Sequence, residues 1–151
     1  MAIVELNELP PFGPLLGLDP GTKTIGVAAA DTTRTIASPL ETIKRGKKLA
    51  PSLVRLFELY DERSCVGLVM GLPVNMDGSH GPRVQAVKAL SRNILEKRDV
   101  PIAFWDERLS TAAVERTLLE ADTSRAKRAE VVDKMAASYI LQGAIDRLAA
   151  G

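Results

Sequence analysis

The sequence has one cysteine, Cys65, and one histidine, His80, among its 151 residues. A lone thiol excludes a disulfide framework, and its place in the apolar run 65–70 reads as a buried, reduced side chain of a cytosolic protein. A lone histidine leaves no His/Cys cluster for zinc, and no nucleophile-elbow sequence accompanies it for a histidine-based triad. No apolar stretch approaches the roughly 20 residues of a membrane span, and residues 1–14 have no basic segment leading into an apolar one. A soluble, cytoplasmic protein is expected. Charge of one sign is also lacking. With 20 basic and 19 acidic residues the net charge is +1, so nucleic-acid binding would have to come from a local basic patch. There is no internal repeat and no low-complexity stretch.

What is present suffices for one globular domain with an ordinary core, at 46% hydrophobic and 26% charged residues. Residues 1–14 carry Glu5, Glu8 and three prolines and are expected as a loose extension ahead of a domain over 15–151. Residues 15–30 read as strand, turn, strand, with Pro20 pre-setting φ and Gly21 accepting φ > 0 at the turn. Residues 35–43 form a third strand, whose Pro39 argues for an edge position. Three strands on short connections imply an antiparallel meander. A basic loop, 44–48, leads into a helix with Pro51 in its first turn and Leu49, Leu53, Leu56, Phe57 and Tyr60 on one face. The run 65–70 is a strand buried on both faces. A polar loop, 71–83, precedes a helix that starts near Pro82 and turns Val87, Leu90 and Ile94 inward. A short strand, 101–105, is followed by a helix capped by Ser110 or Thr111 and running to about residue 121. A last helix covers about 130–150. The alternation in the second half implies parallel strands joined by crossover helices. The expected fold is α/β, a mixed five-stranded sheet with helices on both faces.

Three acidic positions could carry chemistry. Asp19 ends an apolar strand and is followed by small residues that leave room beside it. Such a carboxylate suits a hard divalent cation, or it caps the turn through an Asx bond. Asp106 and Glu107 stand at the end of the strand 101–105, where ligands gather in open α/β sheets; a solvated strand end with Arg108 as counter-charge is the alternative. Asp133 heads the apolar stripe Ala136, Ala137, Ile140 and Ala144, where a carboxylate is costly unless paired or metal-bound. Converging carboxylates would repel one another without a cation. With Mg²⁺ or Mn²⁺ they form an oxygen-ligand site for phosphodiester hydrolysis.

Four ordered motifs sharpen this. Residues 18–28 (LDPGTKTIGVA), Gly71-Leu72-Pro73 with Asp77-Gly78-Ser79, Asp106-Glu107-Arg108-Leu109-Ser110-Thr111, and Asp133-Lys134-Met135-Ala136-Ala137 resemble the motifs of the YqgF/RuvX family across residues 15–148. The resemblance implies an RNase H-like fold and a small bacterial nuclease acting on pre-16S rRNA or resolving Holliday junctions. By position it implies Asp19, Glu107 and Asp133 as metal ligands, with Asp106 as the alternative to Glu107 because strand register decides between them. The proline-rich extension has no counterpart in the motifs, and no catalytic role is expected of it.

Thr22 and Lys23 could meet a phosphate near Asp19, and Asn75, Ser79 and Arg83 of the long loop could hold a nucleic-acid backbone. Arg108 either braces the acidic pair or reaches the scissile phosphate. The runs Lys44-Arg45-Lys47-Lys48 and Arg125-Lys127-Arg128 are phosphate contacts or solvated surface. Trp105 reads as core. The expected partners are pre-rRNA or branched DNA, with ribosomal precursor particles and no membrane, and the chain acts as a monomer or homodimer. Two other classes compete. Asp19-Pro20-Gly21-Thr22 also resembles the phosphate loop of actin-like and sugar-kinase ATP-binding proteins, but 151 residues do not supply the second lobe those need. A non-catalytic nucleic-acid or ribosome-binding module would not need acids at all three positions.

Overall fold

The computed structural model describes residues 3–75, 77–109 and 125–151, with side chains in the last stretch from Lys134 onward. Five strands, β1 (Leu15–Pro20), β2 (Thr24–Ala30), β3 (Ala37–Lys44), β4 (Gly67–Leu72) and β5 (Ile102–Asp106), form one sheet in the order β3-β2-β1-β4-β5. β1 to β3 are an antiparallel meander, and β4 and β5 join β1 in parallel. The expected mixed sheet is therefore the observed one.

Helices α1 (Ala50–Glu62) and α2 (Pro82–Lys97) cover one face, and α3 (Arg125–Ala150) crosses the other. Alternation along the strands divides the core in two. Leu16, Leu18, Leu68, Met70 and Ile102 pack with the α1 and α2 residues Leu53, Leu56, Val87, Leu90 and Ile94. Leu15, Val69, Ala103 and Trp105 pack with Ala137, Ile140, Leu141 and Ala144 of α3. Both Pro51 and Pro82 sit in the first turns of their helices, where the missing N–H has no intrahelical partner to lose. Cys65 is buried as expected, and burial pushes its thiol up to about 11. No helix among the described residues is long and apolar enough to cross a membrane.

Pro39 does mark an edge strand. Val27 pairs with Glu41 and Ala28 with Pro39, so Leu40 is an extra residue and β3 is bulged there. Three expectations need correction. The β1–β2 turn does not use Gly21 at φ > 0. Pro20 is still paired with Ile25, and the Gly21 N–H donates to Thr24 O at 2.8 Å. Glycine is needed there for space, since a Cβ would come within 2.8 Å of that same carbonyl. Secondly, α3 begins at Arg125 rather than near 130. Arg, Lys, Ala and Glu are strong helix formers, so the polar stretch continues the helix instead of interrupting it.

Thirdly, residues 3–14 are docked. Ile3 bridges Ile102 in parallel, and the Val4 N–H donates to Ile102 O at 2.9 Å, covering the outer edge of β5. Leu9 is buried above Gly67, where a Cβ would meet its Cδ2 at 2.9 Å. Arg34 donates from Nε to Gly13 O (2.7 Å) and from Nη2 to Pro10 O (2.6 Å). Prolines suggested looseness, but they also lower the entropy lost on ordering a segment that has such partners. The expected helix after Ser110 or Thr111 lies outside the described residues.

Candidate active site

The strand pleat decides where the acids go. Leu16 and Leu18 face α1 and α2, and Leu15 faces α3, so Asp19 at the end of β1 lies on the α3 face. It is only 7% exposed. Its β2 partner is Gly26, and the β1–β4 register, with Leu18 opposite Met70, brings Gly71 alongside on the other neighbour. On β5, Ala103 and Trp105 face α3 while Phe104 faces the other way, and Asp106, paired with Leu72, follows Phe104. The chain then tightens into a 3-10 turn, Glu107–Leu109, which returns Glu107 to the α3 face. Glu107 is 6% exposed, and its Cδ lies 3.5 Å from where a Gly71 Cβ would be. Two buried carboxylate residues thus flank a glycine at the carboxyl ends of parallel strands.

Asp106 has a different neighbour. Arg108 Nη2 contacts its Oδ2 at 2.7 Å, Nε lies 3.1 Å from both oxygens, and the Arg108 backbone N–H donates to Oδ1 at 2.9 Å. The Arg108 hydrogen bond holds the Asp106 carboxyl below its ordinary range. A folded-state pKa below the unfolded one stabilises the fold above the unfolded value, about 3.9, and that contribution fades as pH falls through the folded value. The Tm difference between wild type and Asp106→Asn is therefore expected to be largest near neutrality and to shrink toward pH 3, as followed by circular dichroism. A constant difference across that range would mean that the ion pair does not titrate with folding.

Arg108 thus lies along Asp106 in a bidentate ion pair. Its Nη1 also lies 3.6 Å from where a Gly78 Cβ would be, beside the loop after β4. Asn75 and Ser79 are engaged within that loop. The Ser79 hydroxyl and N–H donate to Asp77 Oδ1 (2.6 and 2.9 Å), and Asn75 Nδ2 donates to Ser79 Oγ at 3.0 Å. These bonds fix the loop's shape.

Arg83 and the β1–β2 turn do come together. Arg83 Nη2 donates to Pro20 O at 3.1 Å, one residue from Asp19. Thr22 and Lys23 are exposed at the tip. Arg45, which in the sequence is one member of a basic run, reaches the same turn by donating from Nη1 to Gly21 O at 2.7 Å. Its placement follows from the β2–β3 register, which sets Lys44 opposite Thr24 and Arg45 N–H on Lys23 O. Only that register could have found it.

Asp133 lies on α3, with Ala136, Ala137, Ile140 and Ala144 of its stripe all buried as expected. The side chains of Asp133, Arg125, Lys127 and Arg128 are outside the described residues. Among the described residues no three metal-binding side chains come together. The described part still fits a hard cation: two buried carboxylate residues offer oxygen donors at the carboxyl ends of β1 and β5, and Gly71 between them lets Ile140 of α3 pack down on β4. A cavity of about 470 Å³ lies elsewhere, between Leu6, Leu9 and Leu148, and holds none of these acids.

Comparison with known proteins agrees with this geometry. Residues 13–147 match the family model RuvX, described as Holliday junction resolvase. A protein of Rhodospirillum rubrum is 60% identical over 94% of this chain and 88% of its own length, and one of Cereibacter sphaeroides is 57% identical over 95% and 89%. Both carry the name "Putative pre-16S rRNA nuclease". Among solved structures, Thermus thermophilus RuvC in complex with a Holliday junction substrate aligns with TM-score 0.55 and 13% identity, over 92% of this chain and 98% of that one. The yeast mitochondrial Holliday junction resolvase Ydc2 aligns with TM-score 0.50 and 15% identity, over 95% and 83%. At such identities these structures speak to the fold alone, which is the RNase H-like one expected.

Proposed function

The chain belongs to the RuvX family, and on that premise we propose that it is a metal-dependent endonuclease that hydrolyses phosphodiester bonds in the 5'-end maturation of pre-16S ribosomal RNA. The observation that carries this reading is the placement of Asp19 and Glu107, buried on either side of Gly71 at the carboxyl ends of β1 and β5. Asp133, on the helix that crosses this face, is the proposed third ligand. Mg²⁺ or Mn²⁺ held there would lower the pKa of an attacking water and stabilise the leaving oxygen. The chain's own part is to supply buried oxygen donors, seat α3 closely on β4 at Gly71, and present the backbone of the substrate to the exposed β1–β2 turn. Thr22, Lys23 and Arg83 are the proposed substrate contacts, and Arg108 keeps Asp106 away from the ligand set.

High identity to relatives named for pre-16S rRNA favours RNA in ribosomal precursor particles, in the cytoplasm, as the substrate. The family model's description supports a second reading, resolution of branched DNA. A four-way junction would need two copies cutting symmetrically, whereas a single cut in RNA needs one. Purified protein incubated with pre-16S rRNA fragments and with synthetic four-way junctions, in Mg²⁺, Mn²⁺ or EDTA, separates the readings. Metal-dependent cleavage of the RNA is expected. Cleavage of junctions alone would move the assignment to a resolvase, and binding of both without cleavage would make the chain a non-catalytic module.

A further inference from the structure

Given the nuclease reading above, we infer that the cleft between the β1–β2 turn, the loop after β3 and the first turn of α2 binds a non-scissile phosphate of the nucleic-acid backbone, with Arg45 and Arg83 as its cations. The two arginines come from separate elements and converge on consecutive carbonyls, Arg45 on Gly21 and Arg83 on Pro20. A guanidinium has five N–H donors, and each of these bonds uses one. The charge of the pair is also uncompensated locally. Arg55, Arg98 and Arg108 are ion-paired with Glu41, Asp61 and Asp106, but among the described residues neither Arg45 nor Arg83 has an acidic partner.

The lining of the cleft points to the ligand. Small, at about 30 Å³, and lined by both arginines with Gly21, Thr22 and Ala86, it offers guanidinium N–H donors, the partners a phosphate oxygen takes. No aromatic side chain lines it, which removes base stacking as its purpose. Pro20 adjoins Asp19 in the chain, so a phosphate seated here fixes the strand's path beside the carboxylates. Exposed Lys23 extends the positive rim at the same turn. Arg45 and Arg83 are therefore positioning residues: they set where the backbone lies, not how the bond breaks.

The test is the salt dependence of binding, read in EDTA so that cleavage does not contribute. The probe is a fluorescein-labelled fragment of pre-16S rRNA. Each of Arg45→Gln and Arg83→Gln is expected to weaken binding about fivefold to tenfold, and the double variant to reduce the slope of log K against log salt by about 0.7 to 0.9, the share of one phosphate, with each single variant taking part of that. Arg45→Lys and Arg83→Lys should keep the slope, because they keep the charge. Should a Gln variant fail to fold, Thr22→Glu introduces an acid at the exposed rim without touching either carbonyl bond, and it should lower the slope in the same way. Unchanged slopes in folded variants of a wild type that binds RNA would make the arginines mere braces of the turn. That result overturns the phosphate site and leaves the nuclease reading standing. A wild type that binds no nucleic acid overturns the nuclease reading, and the site with it.

Discussion

Replacing Asp19 with Asn is expected to slow metal-dependent cleavage at least about a thousandfold while leaving the fold and RNA affinity intact. The substitution keeps the side chain's size, so the buried end of β1 between Gly26 and Gly71 has nothing to repack. What it removes is the anionic charge. A metal's stabilisation of developing charge amounts to several kcal/mol, and about 4 kcal/mol corresponds to three orders of magnitude in rate. Affinity measured in EDTA should hold or rise slightly, because one negative charge facing phosphates is gone. Single-turnover cleavage of a pre-16S rRNA fragment in Mg²⁺ is the measurement. Asp106→Asn is the comparator, since that carboxylate is already engaged by Arg108 and its loss should cost under about tenfold. If Asp106→Asn proved more damaging than Glu107→Gln, the assignment of the two acids would have to be exchanged.

That assignment marks the boundary of what the sequence could tell. Meander, crossover order and helix faces were all legible, because periods of 2 and 3.6 residues are written directly into the apolar positions. Pro39 likewise announced an edge. The choice between Asp106 and Glu107 was not legible, since it depends on the chain leaving the strand pleat in a 3-10 turn immediately after Asp106. Arg45 was hidden for a similar reason: its approach to Gly21 is a product of β2–β3 register, a non-local quantity that bulging at Leu40 shifts by one residue. Residues 3–14 were misread because their partners, Ile102, Gly67 and Arg34, are remote in sequence. Local pattern identifies elements well, whereas contacts between distant segments decide which side chain finally meets which.

Gly17→Ala should be among the most destabilising single-methyl changes in the chain, at about 2–4 kcal/mol, which for 151 residues is a fall in Tm of roughly 4–16 °C. A Cβ at Gly17 would stand 2.6 Å from Leu141 Cβ and 3.1 Å from Ala137 O. Neither neighbour can swing aside, since one is the root of its side chain and the other is helix backbone. α3 as a whole must lift from β1. Gly71→Ala offers a control of different kind, because there the new methyl would overlap Ile140 Cδ1, the far end of a side chain. Combining it with Ile140→Val, which deletes that atom, should recover part of the lost stability, whereas Leu141→Ala should recover none of it for Gly17→Ala. Glu107 Cδ, at 3.5 Å, would be in ordinary contact with the new methyl, so cleavage should recover together with the fold. Lifting α3 has a further cost, since the helix also carries Asp133. Gly17→Ala should therefore lose cleavage well below its melting temperature, and a variant that melts and cleaves like wild type would show that α3 has freedom to move that so close a packing on β1 denies it.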